Sequence, residues 1–236
     1  MKTIPNEDIQ ADMYDLTVER LSELGLHRYE VSNFSSGIQT QCKHNNGYWN
    51  GNDYIGLGPG AHSRFRSPKD SKLSHEIAAY SMRGKKQKVH EACKRVREAR
   101  VQTLEPEAWM REVEVVGHGT RKIEYLSPIN VLSELFVTTL RTDVGLTRDI
   151  WCSKLKDISS QLEGGGGAES IRTLTLKNVI ECDPKCQKFI RSGTLILNGD
   201  NTLRMSSDGL KYLDHVLPYL INTLGICVNR LLRSSN

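Results

Sequence analysis

No apolar run in this chain approaches the ~20 residues that a membrane-spanning helix requires, so no segment reads as a transbilayer span. The opening MKTIPNEDIQADMYD carries acidic residues and no arginine before Arg20, which fits neither a secretory signal nor a mitochondrial transit peptide. Cysteines at 42, 93, 152, 182, 186 and 227 are scattered rather than spaced as a framework, and without a secretory start they are expected as thiols in a reducing compartment. A net charge of +4 is too small to dictate a nucleic-acid or membrane partner. What remains, at 38% apolar residues over 236 positions, is a soluble chain able to bury one good core or two small ones.

The pattern of apolar and punctuating residues then predicts the elements. Ile9, Met13, Leu16, Leu21 and Leu24 mark one face of a helix that Gly25 ends, and Arg28 to Phe34 alternates as a strand. Residues 67–97 are rich in Lys and Arg and poor in large apolar side chains, and read as a solvated basic insertion or linker. Pro106 suits the first turn of a helix, and a second follows Ser127-Pro128 with its stripe at Ile129, Leu132, Leu135, Phe136 and Leu140. Thr147 caps a third, with Ile150, Trp151, Leu155 and Ile158 inward; Gly164 to Gly167 reads as a connector, and the stretch to Ile180 is ambiguous. Thr194–Leu197 and Thr202–Met205 flank Asn198-Gly199-Asp200-Asn201 as a hairpin, and Ser207 is expected to cap a last helix. Helices with a hairpin make 98–236 a mostly helical, winged-helix-like domain.

Between these elements lies HNNGYWNGNDYIGLGPGAHSRF, His44 to Phe65, which has neither helical nor strand periodicity. A loop combining Tyr48, Trp49 and Tyr54 with several asparagines must satisfy its own backbone and is better explained by a ligand than by packing. His44 and Tyr48 stand four apart, so a helical turn there would put both on one face. Gly56 to Ala61 formally matches a dinucleotide fingerprint, but the following His62 to Pro68 has no helical stripe to receive a pyrophosphate. Cys182 and Cys186 have the first spacing of an iron–sulfur run, yet Phe189 stands where a third cysteine belongs. His118, between Gly117 and Gly119, reads as a turn residue.

Three motifs in order, YEVSNF at 29–34, HNNGYW at 44–49 and YIGLGPGAH at 54–62, resemble the coproporphyrinogen oxidase-like branch of radical S-adenosylmethionine proteins, and within it the HemW-like heme chaperones. LRTDVGL, Leu140 to Leu146, resembles a further signature of that branch. The resemblance implies an α/β fold in which 1–66 close a (β/α) barrel and 98–236 form the HemN-type C-terminal domain. It also implies a chain truncated at its start, since the C-x-x-x-C-x-x-C run for a four-iron four-sulfur cluster is absent from it.

Carried over by motif, the implied ligand is heme, with His44 as iron ligand and His44, Asn45 and Tyr48 as the heme motif; beside them Trp49 and Tyr54 are expected against the porphyrin, and Gly58 and Gly60 to let the backbone pass close to the ligand, with His62 at the exit. The implied function is heme binding and delivery to accepting apoproteins, in mitochondria by resemblance or else in the cytoplasm. The family also uses a four-iron four-sulfur cluster and S-adenosylmethionine, and its oxidases decarboxylate coproporphyrinogen III, so the second reading is an oxygen-independent coproporphyrinogen III oxidase-like enzyme in the full-length form; this chain is not expected to be an enzyme by itself. A nucleic-acid-binding winged helix is the third reading, weakened by the absence of Lys and Arg from Asn198 to Asn201.

Overall fold

The computed structural model describes residues 4–68, 95–162 and 166–233. Helix α1 (Glu7–Glu23) starts at Asn6, whose Oδ1 accepts the Ile9 N–H at 2.9 Å, and ends before Gly25 at φ +75°. Its apolar stripe is largely uncovered among the described residues: no residue of α1 is buried, and Met13 and Leu16 are about half exposed. The helix is held from its polar side instead. Tyr14 donates its hydroxyl to the Val31 carbonyl at 2.6 Å and accepts from Arg28.

The expected strand over 28–34 is a tight hairpin, β1 (His27–Glu30) against β2 (Asn33–Ser35). The reason lies in Glu30. Its carboxylate accepts from the Ser32 N–H at 3.0 Å and the Asn33 amide at 2.6 Å, which pins a turn where alternation alone predicts continuation.

After a 3₁₀ turn (Ile38–Thr40) and α2 (Lys43–Trp49), β3 (His62–Pro68) pairs antiparallel with β4 (Arg95–Gln102), and β4 with β5 (Thr120–Tyr125). Ser67 and Pro68 therefore belong to β3 and 95–97 to β4; the rest of the expected basic insertion, 69–94, lies outside the described residues. The sheet joins residues on both sides of it. Helix α3 (Pro106–Val116) connects β4 to β5, and His118 sits in the turn between, its Nδ1 accepting the Thr120 N–H at 3.2 Å.

The core is helical. Helix α4 (Pro128–Thr139) is capped by Ser127 and α5 (Arg148–Gln161) by Thr147, and Phe136 of α4 stacks on Trp151 of α5 with ring centres 5.8 Å apart. Gly164 and Gly165 of the expected glycine connector lie outside the described residues, while Gly166 opens α6 (Gly166–Arg172). The ambiguous stretch is helical through α6 and α7 (Leu176–Glu181), and α8 (Pro184–Arg191) follows. Isoleucine 171, Leu176 and Val179 are fully buried there, each side chain contributing about 1.5–3 kcal/mol on transfer from water. The hairpin β6 (Leu195–Leu197) and β7 (Leu203–Met205) forms as expected, with Asn201 at φ +64° in its turn. Ser207 does not cap the last helix. Ser206 Oγ takes the Gly209 N–H at 3.0 Å, opening a 3₁₀ turn (Gly209–Tyr212) that runs into α9 (Leu213–Arg233).

Candidate functional site

Glu30 is completely buried, so its charge must be met by the protein. Arg141 meets it, with Nε at 2.8 Å and Nη2 at 2.7 Å, across 111 positions of sequence. The backbones join as well: Val31 N–H donates to the Arg141 carbonyl at 3.1 Å and Asp143 N–H to the Tyr29 carbonyl at 3.1 Å. The face of Trp49 lies 5.2 Å from the same guanidinium. YEVSNF, HNNGYW and LRTDVGL thus converge on one arginine, and the third motif continues through Gly145 to pair Leu146 with Leu203 of β7.

Burial pushes the Glu30 carboxyl up, but the Ser32 N–H, the Asn33 amide and Arg141 together hold it below its ordinary 4.5. A depressed folded value means stability that is present above the unfolded value and lost as pH falls through the folded one. The parent chain should therefore lose stability relative to Glu30→Gln as pH falls from above the carboxyl's ordinary 4.5 down through its lower folded value. Urea unfolding at each pH measures the difference, and parallel pH profiles would contradict it.

Helix α2 stands on this support. The Cys42 N–H that precedes it donates to the Tyr29 hydroxyl at 3.3 Å, and Asn46 reaches back to Gln41 at 3.1 Å. Because residues 43–49 are helical, His44 and Tyr48 share a face: their rings meet edge to face at 4.8 Å, and Tyr48 meets Tyr54 in the same way at 4.5 Å. His44 is exposed at the outer end of this row, Asn45 is half-buried on the same helix, and no hydrogen bond engages the His44 ring among the described residues. Trp49 points to Arg141 instead, with its Nε1 buried and without a hydrogen-bond partner among the described residues.

Gly58 and Gly60, at φ +101° and +70°, shape the turn that leads to His62, which begins β3 opposite Val101. Gly56 is required sterically, since a Cβ there would lie 2.2 Å from the His62 carbonyl oxygen. The structure therefore gathers His44, Tyr48 and Tyr54 into one aromatic row and sets Trp49, Gly58, Gly60 and His62 on separate supports.

The inner end of the row borders a cavity of about 440 Å³, walled by Ala99, Leu126, Val131 and Leu135 and edged by cations. Arg64 pairs with Glu134 at 2.9 Å, Arg97 with Asp53, and Lys154 donates to the Gly51 carbonyl at 3.0 Å. Burial first, and then Arg97, pushes the Lys154 amine below the ordinary lysine value, while burial pushes the Tyr54 phenol up. Arg64 was within reach of sequence reasoning, two residues beyond the histidine motif; Lys154 and Glu134 carry no local signal because helices α5 and α4 deliver them.

The described residues do not fit a four-iron four-sulfur cluster, which needs a set of clustered cysteine ligands. Among them no group of three or more His, Cys, Asp and Glu side chains converges as a metal site. The Cys186 thiol is buried against the Thr223 hydroxyl at 3.6 Å, and Cys182 faces Cys227. No helix among the described residues is long and apolar enough to cross a membrane.

No family model matches the chain. The radical S-adenosyl methionine domain-containing protein 1, mitochondrial, of Danio rerio is 33% identical over 219 residues, 93% of this chain and 40% of the relative. Its Mus musculus counterpart is 34% identical over 220 residues, 93% of this chain and 41% of that one. The heme chaperone HemW of Mycobacterium tuberculosis is 47% identical over 58 residues, 25% of this chain and 15% of the relative. Among solved structures, the radical SAM enzyme coproporphyrinogen III oxidase (HemN) of Escherichia coli matches with a TM-score of 0.50 at 11% identity. That match covers 95% of this chain and 42% of the other, and it bears on fold alone. The chain spans about two-fifths of the length of the curated mitochondrial relatives.

Proposed function

The chain belongs to the HemW-like radical S-adenosylmethionine family, and from that membership we propose that it binds heme at α2, with His44 as the iron ligand and delivery to an apoprotein as the outcome. The observation that carries this reading is the His44–Tyr48–Tyr54 row, in which an exposed imidazole ends a stack of edge-to-face rings. A neutral imidazole is a common axial donor through nitrogen, and Tyr48 stands one turn along the same face as a second donor, through oxygen, or as a wall for the macrocycle. Heme is cargo here rather than a resident group. The radical chemistry of coproporphyrinogen oxidases requires a cluster that the described residues do not fit, so no redox step is assigned to them. Mitochondria are the compartment that accompanies the reading, following the names of the longer relatives.

Replacing His44 by Ala should shift the Soret band of added hemin and weaken its binding by at least ~10-fold, the smallest loss expected even when only a supporting group around a metal is removed. Tyr48→Phe keeps the ring and removes the oxygen, so it separates ligation from packing. His118→Ala, in the turn before β5, should leave the spectrum unchanged. An unchanged spectrum and affinity for His44→Ala would remove His44 from the ligand set.

A further inference from the structure

Apart from the aromatic row, two thiols face each other between α7 and α9. Cys182 follows the last residue of α7 and is exposed, while Cys227 lies on α9 and is buried. Their sulfurs are 3.1 Å apart, with the Cys227 thiol donating to the Cys182 sulfur, across 45 positions of sequence. An open cleft of about 580 Å³ is lined by both cysteines together with Thr173, Leu174, Asn178 and Glu181. This is room for a small peptide-sized reactant beside the exposed Cys182.

We propose that Cys182 and Cys227 are a dithiol–disulfide site that reacts with low-molecular-weight disulfides and, once oxidised, clamps α7 to α9. The proposal is independent of the heme reading. Exposure assigns the order of events. The Cys182 thiolate attacks a small disulfide RSSR, forming a mixed disulfide and releasing RS⁻; the Cys227 thiol then gives up its proton and attacks the Cys182 sulfur, expelling the second RS⁻. In sum RSSR and two protein thiols become one protein disulfide and two RSH, with two electrons passing from the protein sulfurs to RSSR. Burial first, and then the hydrogen bond to Cys182, pushes the Cys227 thiol up to about 12, which suits it to act second, as the resolving thiol. Cys186 is buried, with its thiol against the Thr223 hydroxyl at 3.6 Å.

The clamp would close a long loop holding α8, the β6–β7 hairpin and part of α9, which restricts the unfolded chain. The test uses the full chain and oxidised glutathione, followed by alkylation and peptide mapping without reductant. A Cys182–Cys227 linked peptide is expected, with Cys42 and Cys152, both exposed, reporting how far the reagent modifies isolated thiols. Cys227→Ser should leave a persistent glutathione adduct on Cys182, and Cys182→Ser should abolish the link. Oxidation should raise the Tm by roughly 5–10 °C, reversed by dithiothreitol and missing in Cys182→Ser. A parent chain that keeps the Cys182 adduct while Cys227 stays alkylatable overturns the site, as does a link to Cys186. A correct link with no rise in Tm overturns the clamp.

Discussion

Replacing Arg141 by alanine should destabilise the chain by about 3 kcal/mol, the lower end of what removing one partner of a buried ion pair costs. The lower end applies because the Arg141 side chain keeps 32% of its surface exposed, and because Ser32 and Asn33 still donate to Glu30 after it is gone. Glu30 itself has no solvent to fall back on. The same substitution uncovers Trp49 and so loosens the end of α2, which couples stability to the candidate site. In urea the midpoint should fall by about 1–1.5 M at an m-value of 2–3 kcal/mol/M. The decisive comparison is with Glu30→Gln: in that background Arg141→Ala should cost much less, because no buried charge is left unpaired. Costs that simply add would show that Arg141 acts through packing alone.

Gly145→Ala should cost about 2–5 kcal/mol, combining ~1–2 for a left-handed residue with a Cβ and ~1–3 for forcing atoms into a packed site. Its φ is +72°, and a Cβ built there lies 2.4 Å from the Leu203 carbonyl oxygen and 2.8 Å from the Arg204 Cα. Those are backbone atoms of β7, which cannot swing aside as a flexible side chain would. Relief therefore requires breaking the pairing of Leu146 with Leu203, at 2.7 and 2.9 Å, which fixes the hairpin to the rest of the core. Amide exchange should report the damage at Leu146 and Leu203 first. A glycine with φ positive but open surroundings gives the control: nothing lies within 4 Å of a Cβ at Gly117, so Gly117→Ala should carry only the conformational part. Equal losses at the two positions would contradict the steric account.

These two residues also show what local sequence can and cannot carry. LRTDVGL stands out as a motif, and Gly145 is expected in a turn; neither observation tells that Arg141 neutralises a glutamate 111 positions earlier. Conversely, the alternation of residues 28–34 predicts one strand, while the chain folds back because Glu30 captures the Ser32 and Asn33 donors. Side-chain hydrogen bonding to nearby backbone competes with the extended form, and periodicity does not register it. The α1 stripe carries a related lesson. Spacing establishes that a helix has an apolar face but not that anything covers it, and here Ile9, Met13 and Leu16 remain about half exposed.

What the sequence determined by itself were features whose physics spans a few residues: the Thr147 cap, Pro106 in a first turn, the helix that follows Ser127-Pro128, and the asparagine-rich hairpin connector. The motifs also placed the chain in its family, because their order survives without knowledge of the fold. The shared face of His44 and Tyr48 was legible as a condition, needing only that 43–49 be helical. Tertiary structure alone decided the Glu30–Arg141–Trp49 junction, the pairing of β3 with β4, the delivery of Lys154 to the cavity and the approach of Cys182 to Cys227. Each of these contacts joins groups from distant segments, and its energy depends on burial and distance created only when the helices pack. No local pattern encodes that, since the same residues at the same spacing are solvated and unpaired in the unfolded chain.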